Sequence, residues 1–317
     1  MKVTIIMIVV VLILGGAYFG VGNYFYNFAL NAKQEKSFIA DNPHLEKSEA
    51  VMADIAQQEK NSDNEFREHV SSSDVWMTST DQLQLHANVY EQAEQEEKWA
   101  IVVHGYGGQA SEMVRWIRGF YEKGYNVLAP DLRGHGESEG NYIGMGWDDR
   151  LDVLAWIDEI TEKNPHAEIA LFGISMGAAT VMMTSGEELP DNVKVIVEDC
   201  GYSSVDAIFT YQLADLFNLP KFPVLNAANA VTKLRAGFDL NKASAVNQVK
   251  KNNVPMLFIH GEDDSFVPFE MLDTVYNAAD VDKEKLIIPG AGHGEAVQVD
   301  PNLYWSTVWG FVDRYIG

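Results

Sequence analysis

Cysteine and positive charge are both scarce in this sequence. Cys200 is the only cysteine in 317 residues. No disulfide can form within the chain, and cysteine usage leaves the redox compartment open. Neither a C-x-x-C nor an H-E-x-x-H pattern occurs. The sequence therefore gives no support to a metal site, and it implies no cofactor. Lysine and arginine number 23 against 46 aspartates and glutamates, for a net charge of −23. So acidic a chain is a poor partner for nucleic acid, whose phosphates need a basic surface, and for electrostatic adsorption to anionic lipid. Repeats and low-complexity segments are absent as well. What remains is apolar material for a sizeable core, 47% of the residues.

The chain opens on an uncharged run from Val3 to Val21, about long enough to cross the hydrocarbon layer as one helix. Two readings stand. One is an uncleaved single-pass signal anchor in the cell membrane, with Tyr18, Phe19, Tyr24, Phe25 and Tyr26 as an interfacial aromatic belt. The other is a secretory signal peptide cut after Ala17. Lys2 lies on the short side, so the positive-inside rule sends the bulk of the chain to the extracytoplasmic side, and secretion would do the same. A buried core helix is the poorer reading, since an all-round apolar helix would have to be wrapped completely. The expected organisation is an anchor and flank over 1–30, a partly helical juxtamembrane spacer over 31–72, and a catalytic domain over 73–317.

Beyond the spacer, Val75–Ser79 and Leu83–Tyr90 alternate around a short turn and predict a hairpin. Short apolar runs then alternate with helical stretches. Strands are expected at Trp99–Val103, Asn126–Pro130, Glu168–Phe172, Val193–Val197, Val254–His260 and Lys285–Pro289. Helices are expected at about 111–123, 145–163, after Pro268, and at 301–315. Such alternation is the mark of a mostly parallel sheet covered on both faces, and reactive residues then gather at the carboxyl ends of the strands. Those ends carry His104-Gly105-Tyr106, Asp131 to His135, Ser175, Glu198-Asp199, Asp263-Asp264 and the loop holding His293.

Ser175 sits in Gly173-Ile174-Ser175-Met176-Gly177. A strand precedes this G-x-S-x-G run and a small-residue helix follows it, the context in which the pattern means a nucleophile elbow. A serine hydroxyl needs a general base, and the base needs an orienting partner. His293, in a glycine-flanked loop after the last strand, is free to swing toward Ser175. The carboxylate belongs to the run after the preceding strand. The order Ser175, Asp264, His293 then follows that of the α/β-hydrolases.

Four motifs carry a resemblance to that superfamily, in its serine esterase and lipase-like branch. They are His-Gly-Tyr-Gly-Gly at 104–108, D-x-R-G-H-G-x-S from Asp131 to Ser138, the Ser175 elbow, and H-G-x-x-D-x-x-V-P from His260 to Pro268; the His293 loop is a weaker fifth. The resemblance covers about Val75 to the C-terminus. It implies an α/β-hydrolase fold with a small helical cap, expected at 202–242, and an acid at Asp264. Asp263 and Asp199 stay open as alternatives. It also implies oxyanion donors at the backbone N–H groups of Tyr106 and Met176. His104 is expected to buttress the oxyanion loop, Asp131, Arg133 and His135 to tie their loop to the elbow, and His260 to be structural. The implied activity is cleavage of carboxylic esters, small or lipid-like. A serine peptidase, an acyltransferase on the same residues and a non-catalytic binding protein are the rival readings.

Overall fold

The computed structural model describes residues 2–40, 42–93 and 96–317. Met1 of the expected anchor, Asp41 of the spacer, and Glu94 and Gln95 ahead of the third strand lie outside the described residues. Helix α1 spans Lys2–Ala29, followed by α2 (Ser37–Ala40), a 3₁₀ turn at Pro43–Leu45 and α3 (Ala53–His69). Strands β1 (Ser73–Thr78), β2 (Gln84–Tyr90) and β3 (Lys98–Val103) come next, then α4 (Val114–Glu122), β4 (Asn126–Pro130), α5 (Asp149–Lys163) and β5 (Glu168–Ile174). They are followed by α6 (Met176–Thr184), β6 (Val193–Asp199), α7 (Val205–Phe217), α8 (Lys221–Arg235) and α9 (Ala245–Val249). The chain closes with β7 (Met256–Gly261), α10 (Glu270–Ala278), β8 (Lys283–Ile288), α11 (Ala296–Val299) and α12 (Pro301–Val312).

The eight strands form one sheet in the order β1-β2-β4-β3-β5-β6-β7-β8. β1 pairs with β2 and β2 with β4 antiparallel, and every pairing from β4 onward is parallel. This is the α/β-hydrolase fold, with helices on both faces. Successive side chains on a strand point to opposite faces, and the core divides accordingly. Ile101, Val103, Leu171, Ile196 and Phe258 meet α5 and α6 on one side. Ala100, Val102, Phe172, Val197 and Leu257 meet α4 and α12 on the other. The central strands are therefore buried on both faces, which is why they read as unbroken apolar runs.

Helix α5 begins at Asp149 rather than near Met145. Met145 and Gly146 both take positive φ, 53° and 81°, which no right-handed helix accommodates. They form a turn against the N-terminal half of α6.

Helix α1 has two unlike halves. Val3 to Leu14 is exposed along its apolar length, whereas Gly22, Tyr26 and Leu30 are buried. The buried half packs on α8. A Cβ on Gly22 would lie 2.3 Å from the Ala227 carbonyl oxygen, so the two backbones touch there. The Arg235 guanidinium stacks over the Tyr26 ring at 4.1 Å and donates to the side-chain oxygens of Asn23 and Asn27. Of the expected aromatic belt, only Phe19 and Tyr24 are exposed, while Phe25 turns half-buried toward the cap. Lys36 Nζ folds back onto the carbonyls of Phe28 (2.9 Å) and Asn31 (3.0 Å), capping the helix end with a cation where its dipole favours one.

Candidate active site

Sharp geometry at the end of β5 begins the site. Ser175 takes φ 55°, ψ −116°, a strained conformation for a non-glycine residue. Its neighbours explain how the turn closes. A Cβ on Gly173 would lie 2.2 Å from the Gly177 carbonyl oxygen, and one on Gly177 would lie 2.2 Å from that of Val103. Glycine is required at both positions because α6 passes directly over the sheet. The Ser175 N–H donates to the Asp199 carbonyl at 2.8 Å, which anchors the elbow to β6.

Three residues distant in sequence converge on the strand ends. His293 Nε2 lies 2.8 Å from Ser175 Oγ, and His293 Nδ1 lies 2.7 Å from Asp264 Oδ2. Asp264 Oδ1 accepts the backbone N–H groups of Phe266 (3.0 Å) and Val267 (2.9 Å). Burial opposes a charge on Asp264. The adjacent His293, together with hydrogen bonds from His260 and His293, outweighs it and holds the carboxyl well below the usual carboxylate range. The other two acid candidates are placed elsewhere. Asp263 is exposed, and Asp199 accepts from the Tyr304 hydroxyl at 2.9 Å, with burial pushing its carboxyl up to about 6. Such a chain can draw a proton from the serine hydroxyl while fixing the imidazole's tautomer and orientation.

Tyr106 and Met176 flank Ser175. Met176 is the first residue of α6, so its N–H has no partner inside the helix. Among the described residues the Tyr106 N–H has no protein acceptor either. The loop carrying Tyr106 is held by its neighbours. His104 Nε2 accepts the Leu132 N–H at 3.0 Å, and His135 Nε2 accepts that of Gly107 at 3.2 Å. Burial, then the nearby His104, pushes His135 down to about 3, so it stays a neutral acceptor.

The 131–138 run differs from expectation in what it grips. Asp131 accepts from Ala110 (2.7 Å) and Glu137 (3.0 Å) and pairs with His86 (2.8 Å). Arg133 forks onto Asp152 of α5 at 2.7 and 2.8 Å and reaches Asp81 at 2.9 Å. These bonds brace the loop after β3, the hairpin and α5 rather than the elbow itself. His260 Nε2 donates to the Val267 carbonyl at 3.0 Å and lies 3.2 Å from Asp264 Oδ2, while its Nδ1 lacks a partner among the described residues. Ligand atoms of Cys200, Asp264 and His293 lie within 4.8 Å of one another. Both His293 nitrogens are already engaged, and burial raises the Cys200 thiol far above its ordinary range, so this trio is poorly suited to a cation.

Above Ser175 lies a narrow apolar pocket with a cavity volume of about 90 Å³. Phe209, Leu213, Leu216, Phe217 and Leu225 of the cap helices line it, as expected of the insertion. Phe25, Phe28 and Ala29 of α1, with Phe38 and Ile39 of α2, line it too. No motif in the sequence marks these residues as part of the site. Phe25 and Phe28 meet Phe217 edge-on, at ring distances of 5.2 and 5.1 Å. The spacer also straps the mouth. His44 bridges Asp215 of α7 (3.0 Å) and Ser265 beside the acid (2.8 Å), and the Ser48 N–H donates to Glu295 beside the His293 loop (3.1 Å).

Comparison with known proteins agrees with this geometry. The family model described as serine aminopeptidase, S33, matches residues 94–206, less than half of the chain. The uncharacterized protein YqkD of Bacillus subtilis is 28% identical over 215 residues, covering 68% of this chain and 70% of YqkD. The uncharacterized protein YfhR of Escherichia coli K12 is 23% identical over 202 residues, and the chain spans 64% of YfhR's length, just under two thirds. Among solved structures, the esterase Pf2001 of Pyrococcus furiosus superposes with a TM-score of 0.65 at 25% identity, covering 78% of this chain and 92% of the esterase. Sheet order, elbow and these likenesses coincide: the chain has the α/β-hydrolase fold and is similar to hydrolases built on it, and among the described residues one apolar helix, ahead of that fold, is long enough to cross a membrane.

Proposed function

We propose that the protein is a serine hydrolase that cleaves carboxylic esters through an acyl-enzyme on Ser175. The observation that carries the reading is the unbroken chain Ser175–His293–Asp264, at 2.8 and 2.7 Å, set beneath an apolar pocket. His293 Nε2 takes the Ser175 proton as Oγ attacks the ester carbonyl carbon. The oxygen of the tetrahedral adduct faces the N–H groups of Tyr106 and Met176, where one such donor is worth about 2.7–4 kcal/mol of transition-state stabilisation. Collapse breaks the bond to the alcohol oxygen, which leaves with the proton from His293. A water deprotonated by His293 then attacks the acyl carbon, releases the acid and restores the serine. Asp264 stays ionised throughout and balances the imidazolium. The helix α1 serves as a single-pass anchor, with the hydrolase on the extracytoplasmic side.

The S33 match favours peptide cleavage as the second reading. The pocket weighs against it: none of its lining residues is charged, so nothing there would hold a peptide's terminal ammonium. A fluorophosphonate probe tests the main reading on full-length protein beside Ser175→Ala, with nitrophenyl esters of graded acyl length and amide analogues in parallel. Labelling and ester turnover lost together in Ser175→Ala are the expected result. A folded wild type that resists the probe would sink the proposal, and amide turnover exceeding ester turnover would favour the peptidase.

A further inference from the structure

The wall that α1 contributes to the pocket has a direction. Ala227 and Val231 of α8 meet α1 at Gly22, while Arg235 meets it at Asn23 and Asn27. The two helices thus run the same way, and the beginning of α8 points along α1 toward its exposed apolar half. At that end stand the α7–α8 connection and the first turn of α8, where Leu219 is 37% exposed and Phe222 75%. Two exposed apolar side chains three residues apart make this tip a small apolar patch. The uncharged part of α1 from Val3 to Val21 spans roughly 28 Å as a helix, close to the thickness of the hydrocarbon layer. Phe25 and Phe28, one to two turns further on, then stand at the membrane surface. They pack edge-on against Phe217, and the three rings together form a wall of the pocket that reaches Ser175.

We infer that the substrate pocket is a joint construction of the cap and the membrane helix, and that it takes an uncharged long-chain acyl ester resident in the bilayer, whose chain passes along Phe25 and Phe28 to reach Ser175. This rests on the ester-hydrolase and anchor readings above. Apolar lining accounts for the acyl chain. The net charge of −23 disfavours an anionic head group at the same surface. Immersion of Phe222 and Leu219 would place the cap tip in the layer that holds the substrate, while Lys221 between them stays paired with Asp206 of α7.

The test uses full-length protein in phosphatidylcholine vesicles, with methylumbelliferyl oleate in the same vesicles, the same oleate in separate vesicles, or methylumbelliferyl butyrate in the aqueous phase. Fluorophosphonate labelling counts competent sites in every sample. Oleate sharing the enzyme's bilayer is expected to turn over about tenfold faster than oleate in separate vesicles, since one surface concentrates both. Phe28→Asp should lower the ratio of oleate to butyrate hydrolysis about tenfold or more by placing a charge in the chain's path. Phe222→Ser, at an exposed tip where folding is not at stake, should lower that ratio severalfold. Equal oleate rates in shared and separate vesicles, or ratios unmoved by both substitutions, would overturn the inference while leaving the hydrolase reading intact. Loss of labelling in the wild type would instead remove the hydrolase reading itself.

Discussion

The Tyr106 hydroxyl donates to the Ala29 carbonyl at 2.6 Å. One residue thus shares the pocket lining with Ser175 and ties its side chain to the last residue of the long apolar helix. Burial raises the phenol well above its ordinary range, so it remains a donor at any physiological pH. Tyr106→Phe would leave the N–H in place and remove only this tie, a net loss of about 1 kcal/mol with a buried carbonyl left unsatisfied. Turnover of long-chain esters should fall about fivefold. Unchanged kinetics across a chain-length series would show the tie to be idle.

A fragment beginning at Asn31 would delete Phe25, Phe28 and Ala29 from the pocket and strip the cover from Ala227 and Val231. It is expected to be poorly soluble or, if soluble, to lose selectivity for long acyl groups. Gel filtration and a chain-length profile beside the full-length protein check this. A well-behaved fragment with the parent's profile would contradict the structural role given to α1.

Asp264→Asn and Asp199→Asn separate the two buried acids. The first keeps a side-chain oxygen for the Phe266 and Val267 N–H groups but turns a donor toward His293 Nδ1, leaving the imidazole proton on the nitrogen that faces Ser175. Its kcat should drop about 10³–10⁴-fold. Asp199 meets Tyr304 rather than His293, so Asp199→Asn should cost less than about tenfold. A reversed order in steady-state assays would move the acid to Asp199.

Glu198 and Asp149 are fully buried, and burial pushes their carboxyls up to about 8 and about 7. In the unfolded chain both lose their protons near pH 4. Between about pH 4 and pH 8 the folded state therefore holds more protons, and this share of stability falls as pH rises through that window. Glu198→Gln removes the glutamate's part. Its melting-temperature gain over wild type should be larger, by a few degrees, near pH 8 than near pH 5. The same gain at both pH values would show that Glu198 does not titrate in this range.

Arg133 forks onto Asp152 with both groups buried. Arg133→Met would leave that carboxylate unpaired and destabilise the fold by about 3–5 kcal/mol. Thermal unfolding measures it. A double variant Arg133→Met with Asp152→Leu should recover part of the loss, because the stranded charge goes with it.

The pairing of Ser175, Asp264 and His293 was readable despite separations of 118 and 29 residues. Each follows a short apolar run, and parallel strands deliver their ends to one edge. The role of α1 was not readable, because a helix facing lipid and a helix facing an apolar cap have the same composition. Gly22, which lets α1 touch α8, looks like any glycine in a spanning segment. The strap from Asn42 to Ser48 left no trace either. Its bonds come from single polar side chains, His44 reaching Asp215 and Ser265 across 171 and 221 residues, with no periodic pattern to mark them. The late start of α5 did carry a signal, the glycines on either side of Met145.

The two halves of α1 separate residence from recognition. A cut after Ala17 would discard the exposed stretch and leave Gly22, Phe25, Phe28 and the clasp with α8 on the released molecule. Such a product would leave the surface where it was made yet keep the acyl pocket whole, with a short apolar stub still bound to its cap. Processing at that point would change where the protein works without changing the shape of what it holds.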